Sequence, residues 1–109
     1  MINKVELTGI VGRVEICNVG DRKCARLSVA TDYAYRNRQG EAVVETTWHN
    51  VVAFEGPQID IDHLLKGDAV VISGRIRNAR CTGIDGDVHC FMEILANRME
   101  NVTKGEALR

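Results

Sequence analysis

Five aromatic residues and ten arginines carry most of the chemistry in this sequence. Tyr33, Tyr35, Trp48 and Phe54 fall within 22 residues of one another, and only Phe91 lies elsewhere. Spacings of two and six put Tyr33 with Tyr35, and Trp48 with Phe54, on common faces of regular strands. Exposed rings of this kind stack on nucleobases for about 1–3 kcal/mol each, and arginines follow phosphates. Phe54 and Phe91 suit a core equally well. Tyr33 and Tyr35 suit it less, because they approach a polar loop carrying Arg36 and Arg38. Arg75, Arg77 and Arg80 lie in a stretch from Ala69 to Ile84 that contains no acid, and Arg75 and Arg77 share strand parity. A solvated face would carry the same charges. Two acid-free arginine groups in a chain of net charge −1 nevertheless favour a local anion-binding surface. The expectation is one open track shared by Trp48, Tyr35 and the Arg75/Arg77 pair.

Catalytic chemistry finds little support. The histidines are His49, His63 and His89, and no GxSxG, P-loop or HExxH motif occurs. Asp60-Ile61-Asp62-His63 has metal-binding residue types, but the acids also fit the start of a helix. Four suitable ligands are not evident, so the sequence predicts no metal and no cofactor. Cys17, Cys24, Cys81 and Cys90 contain no Cys-x-x-Cys. Each pair flanks a turn-like segment, so cross-strand pairing is geometrically conceivable. Without an export signal the expectation is reduced thiols in a cytoplasmic protein.

With 109 residues the chain fits one domain. Its 45% hydrophobic content is too high for disorder, and a net charge of −1 excludes bulk basicity as an argument for a nucleic-acid partner. No apolar run approaches the roughly 18 residues of a membrane span. The acids Glu55, Asp60, Asp62 and Asp68 gather in one region, away from the arginines.

The elements that must position these residues are mostly strands. Val5 to Ile16 is largely apolar and is interrupted by Gly9 and Gly12, which mark a bulge or barrel corner. Cys24 to Thr31 alternates with period two. Arg36 to Gly40 reads as a loop, and Ala42 to Phe54 as a long β-branched and aromatic strand. Pro57 then breaks the pattern. Ile59, Ile61, Leu64 and Leu65 fit a short helical turn, capped by Asp60 or Asp62 and ended by Gly67. Ala69 to Ser73 resumes as a strand running on through Arg77, and His89 to Ala96 is the last strand, after a turn at Gly83 to Asp87. Three strands, a short helix and two strands give an all-β chain with the order of an OB-fold, a five-stranded partly open barrel. The segments Ala69 to Gly74 and Asn50 to Phe54 are apolar at both parities, so an outer barrel face needs a partner and a homo-oligomer is expected.

Several blocks carry a family likeness. They are Asn3-Lys4-Val5 with Leu7 and Gly9; Leu27 to Thr31; Thr47-Trp48-His49-Asn50-Val51-Val52-Ala53-Phe54; Leu65-Lys66-Gly67-Asp68; and Val71 to Arg77. In this order the chain from Ile2 to Val102 resembles the bacterial single-stranded DNA-binding protein family. The resemblance implies an OB-fold domain over residues 1–102, a homotetramer, and sequence-tolerant binding of single-stranded DNA in replication, recombination and repair. It also implies base stacking by Trp48 and Phe54, with Tyr35 the nearest match to a further stacking ring. Phosphate contacts are implied for Arg75, Arg77 and Arg80, and a subunit contact for His49. Tyr33, Arg36 and Arg38 join this set as neighbours of Tyr35.

Two departures predict weaker binding than in a typical member: Cys81 stands at a stacking-tryptophan position and Asn50 at a basic one. Typical members also continue into a flexible tail with an acidic, phenylalanine-tipped end, whereas this sequence stops at Glu106-Ala107-Leu108-Arg109. The expectation is a short flexible extension at 103–109 and no recruitment of proteins through such a peptide. The alternatives are a dimeric factor like primosomal replication protein B and a protein-interaction OB module without a nucleic-acid role.

Overall fold

The computed structural model describes residues 1–103, so nearly all of the extension expected at 103–109 lies outside the described residues. Five strands follow in order: β1 (Val5–Val19), β2 (Arg22–Arg36), β3 (Ala42–Phe54), β4 (Ala69–Thr82) and β5 (Val88–Asn101). They close into a barrel in the order β1-β2-β3-β5-β4, the all-β OB architecture the sequence predicts. Four seams are antiparallel. The fifth, between β3 and β5, is parallel and consists of Val51↔Ile94, Val52↔Leu95 and Ala53↔Ala96. Gly20, Gly40 and Gly86 sit at the hairpin turns with φ of 61°, 80° and 85°, a region open to glycine at little steric cost.

The first strand serves two partners. Val5–Ile10 pairs with β4 and Ile10–Val19 with β2, with a register shift between Val11 and Arg13. This is the corner that the glycines in β1 predict. Alternate residues point inward, and Val11, Val29, Val51, Val70 and Ile72 are each no more than 1% exposed. The inward and outward sets come from the period-two pattern, with β-branched side chains filling the small interior.

The segment between β3 and β4 differs from expectation: no helix forms among the described residues. Gly56 and Ile59 exchange backbone hydrogen bonds, Met99 N donates to Gln58 O, and Gly67 N donates to Val11 O. Gln58 and Gly67 are thus tied to β5 and β1, while Gly56 and Ile59 satisfy each other. Asp60 does accept from a following amide, Asp62 N, at 3.1 Å, but as a local Asx turn. Ile59, Ile61 and Leu64 plug the barrel instead, while Leu65 is exposed.

The cysteines also correct the sequence reading. Cys17 and Cys24 face each other across β1 and β2, with Cα atoms 5.3 Å apart, and form a disulfide. Cys81 and Cys90 are free and exposed. The hairpin register makes the first pair direct cross-strand partners, whereas Cys81 is opposite His89 and Cys90 opposite Arg80. Reduced thiols therefore no longer support a cytoplasmic placement. No helix long and apolar enough to cross a membrane occurs among the described residues.

On the surface of the plug segment, His63 Nδ1 lies 2.9 Å from Asp60 Oδ2. The hydrogen bond to Asp60, then its charge, raises the His63 pKa. The same bond, then the Asp62 amide, lowers that of Asp60. The imidazole's contribution to stability is complete below the ordinary histidine pKa and fades as pH rises through the raised value. The carboxylate's contribution is lost as pH falls through its lowered value. An NMR titration is expected to find His63 above the ordinary histidine value, and Asp60→Asn to bring it down. Within the core, Ile72→Ala is expected to cost about 2–5 kcal/mol in urea unfolding, since Ile72 is 0% exposed.

Candidate nucleic-acid interface

The register between β2 and β3 decides which side chains meet. It runs from Cys24↔Phe54 to Arg36↔Ala42. Val51 and Ala53 point into the barrel beside Leu27 and Ala25. Trp48, Asn50, Val52 and Phe54 therefore point outward with the even-numbered residues of β2. Trp48 is 59% exposed. Its ring extends across β2 towards β1, and a Cβ placed on Gly12 would strike Cζ3 and Cη2 of the indole. The bulge glycine thus provides the floor for this ring.

Phe54 shares the outer face with Trp48 and is half-buried. The Arg22 guanidinium carbon lies 4.5 Å from its ring centroid, within cation–π range. One face of the ring is therefore already covered by an arginine. Between the two rings, Arg26 is paired with Val52. Arg77 of β4 approaches from the other side: it is opposite Glu93, and its Nε donates to Glu93 Oε2 at 2.7 Å. Arg26 Nη1 is 3.9 Å from Glu93 Oε1. The side chain of Glu93 is 2% exposed and that of Arg77 is 40% exposed. The stretch that is acid-free in sequence thus meets an acid across the sheet.

Other predicted residues fall elsewhere. Tyr33 and Tyr35 are odd-numbered and pair with Glu45 and Val43, which puts them on the face of the β2–β3 ribbon opposite Trp48. Their ring centroids are 6.0 Å apart. The single track joining Trp48 and Tyr35 is therefore not formed on one face. Polarity drew the tyrosines towards the arginine loop, whereas strand parity separates them from Trp48. Arg36 is tied to the turn through a 2.7 Å bond from its Nη1 to Gly40 O, and Arg38 is exposed in that turn. Arg75 is exposed on the same face of β4 as Arg77. Arg80, opposite Cys90, lies on the reverse face.

His49 points to the inner side and its Nε2 lies 2.7 Å from Thr31 Oγ1. It borders an open cleft of about 400 Å³ whose apolar lining is Val5, Leu7, Ile76, Met92 and Ile94 and whose other border is Trp48, Asn50 and Glu93. The apolar outer surface expected on β4 is not the exposed one. Val52 is covered within the chain, and the outer neighbours of Val71 include Thr8, Ser73 and Glu100. Of the aliphatic residues lining the His49 cleft, Ile76 and Met92 are the exposed ones.

Arg22, Arg26 and Glu93 escaped the sequence reading. The signal for the first two was available: closing a hairpin on the loop at 36–41 sets Arg26 opposite Val52. Nothing local in the sequence marks Glu93, because its neighbours come from other strands.

The model of the single-strand binding protein family matches residues 2–102. The chain belongs to that family. A single-stranded DNA-binding protein of Neisseria meningitidis is 35% identical over 103 residues, covering 91% of this chain and 59% of that protein. One from Xanthomonas campestris is 34% identical over 102 residues, with the same coverage. The chain thus spans about three-fifths of the length of these relatives. A Plasmodium falciparum SSB, solved in complex with ssDNA, superposes with a TM-score of 0.77 at 27% identity, covering 92% of both chains. The single-stranded DNA-binding protein from Thermus aquaticus shares the fold at a TM-score of 0.79 and 21% identity, covering 97% of this chain and 52% of that one.

Gly12→Ala is expected to push the Trp48 indole off its floor. The check is tryptophan emission in the folded protein, expected to shift towards that of a fully solvated indole; an unchanged spectrum would leave Gly12 without this role.

Proposed function

We propose that this chain binds single-stranded DNA without catalysis, by stacking bases on Trp48 and Phe54 and holding phosphates with Arg22, Arg26, Arg75 and Arg77. The observation that carries the reading is the widely exposed Trp48 on the same outer face as Phe54, with arginines beside and between them. Six residues of strand separate the rings by about 20 Å, enough for several bases to lie between them. Tyr33 and Tyr35 offer a second platform on the reverse face of the hairpin arm, with Arg36 and Arg38 at its tip, and Arg80 extends the basic surface on β4. The Plasmodium relative is described with this ligand, and the family match supports the same ligand here.

Self-association belongs to the same reading. The exposed Ile76 and Met92 of the His49 cleft are the apolar surface a second subunit would cover, leaving Trp48 at the cleft's border open, in a tetramer as the family likeness implies or in a dimer. Such an assembly would carry single strands through replication, recombination and repair. On this reading the protein would work beside DNA in the cytoplasm, without a cofactor.

Titration with oligo(dT) is expected to quench Trp48 fluorescence, and added salt to weaken binding with a slope of about 0.7 per phosphate neutralised. Trp48→Ala is expected to cost about 1–3 kcal/mol of binding. Absence of quenching at low salt by the folded protein would overturn the reading.

A further inference from the structure

Between Trp48 and Phe54 the outer face opens into a cleft of about 260 Å³, bordered by Arg26, Ser28, Asn50, Val52, Phe91 and Glu93, with the exposed Arg13–Glu15 ion pair also on its border. That is just below the size of a drug-binding pocket and suits one planar base. Val52 and Phe91 give it an apolar wall, and Ser28 and Asn50 give it polar edges. Glu93 is the one buried charged residue among those described. Its two carboxylate oxygens are unequal. Oε2 accepts from Arg77 at 2.7 Å, whereas Oε1 is shut off from water and accepts no hydrogen bond. The cation facing Oε1 is Arg26, and 3.9 Å is too long for a hydrogen bond. Oε1 faces Arg26, and Arg26 lines this cleft, so Arg26 stands between the oxygen and the open space. A buried acceptor without a donor is costly, so this oxygen identifies what the cleft lacks: an N–H group.

The geometry points to Glu93 as a base-reading residue, its Oε1 accepting from the exocyclic amino group of a base seated between the two stacking rings, so that amino bases are held better there than keto pyrimidines. This rests on the single-stranded DNA reading above. Arg26 is 55% exposed and makes no hydrogen bond to Glu93. It is free to turn to a backbone phosphate, which uncovers Oε1 for the base. Cytosine and uracil have nearly the same shape but differ at two neighbouring edge positions: cytosine carries an amino donor and an acceptor ring nitrogen where uracil carries a carbonyl acceptor and a ring N–H donor. Methylation of the cytosine amino nitrogen isolates the exocyclic donor from the ring nitrogen.

The test is the ratio of affinities for oligo(dC) and oligo(dU) of equal length, at mildly alkaline pH, for the wild-type protein and for Glu93→Gln. The glutamine carbonyl keeps the bond from Arg77 and places an NH₂ donor where Oε1 was. The dC:dU affinity ratio is expected to fall roughly threefold to tenfold, about the worth of one such hydrogen bond, with oligo(dU) gaining from the new donor. An unchanged ratio, with both oligonucleotides still bound, would overturn the inference and leave the DNA reading intact. Failure of the wild-type protein to bind either would overturn both. Should the variant not fold, wild-type protein decides the matter with oligo(dC) whose amino nitrogens carry two methyl groups. A loss of affinity of the same size is expected, and equal affinity overturns the inference.

Discussion

The pairing of β2 with β3 runs without a bulge from Cys24↔Phe54 to Arg36↔Ala42. Because strand side chains alternate, a slip of one residue would exchange every inward group for an outward one. Leu27 opposite Val51 and Ala25 opposite Ala53 bury their side chains in the barrel, and that burial fixes the register. Once it is fixed, Trp48, Asn50, Val52 and Phe54 have no choice but the outer face, and Arg22 and Arg26 follow them. The aromatic surface is exposed because the residues between its members are needed inside.

A second constraint acts through charge. Burying a carboxylate is expensive unless cations and donors compensate it. Glu93 is compensated by Arg77 from β4 and, more loosely, by Arg26 from β2. Arg77 uses its Nε for this contact, which orients the guanidinium while its terminal nitrogens remain for other partners. Holding long side chains in place before a ligand arrives lowers the entropy lost on binding. The acid that reduces the net positive charge of this surface also organises it.

Much of the barrel was legible in the sequence. The bounds of β3 agree with its β-branched and aromatic run, and the corner in β1 sits where Gly9 and Gly12 interrupt the pattern. Strand ends were less legible. β2, β4 and β5 all run beyond their apolar stretches because hairpins extend out of the barrel as ribbons wet on both faces, where no hydrophobic period marks them. The spacing of Ile59, Ile61 and Leu64 suggests a helical turn, but these residues serve as a plug without any regular repeat. Compartment is a poor guide to Cys17 and Cys24, whose positions opposite each other in a tight hairpin bring them together. For the tyrosines, the polarity of the neighbouring loop is a weaker guide than strand parity.

The short parallel seam ties these observations together. β3 and β5 share only three residue pairs, Val51↔Ile94 to Ala53↔Ala96, yet they are what bring Glu93 beside the β3 residues between Trp48 and Phe54. β5 in turn carries Arg77 with it through β4. Without closure the aromatic face of β3 would be a sheet edge, with unpaired backbone groups in place of a charged neighbour. Closing the barrel therefore does more than complete the hydrophobic core. It supplies the acid, and through the acid the arginine, that give a row of outward side chains both exposed rings and directed charge.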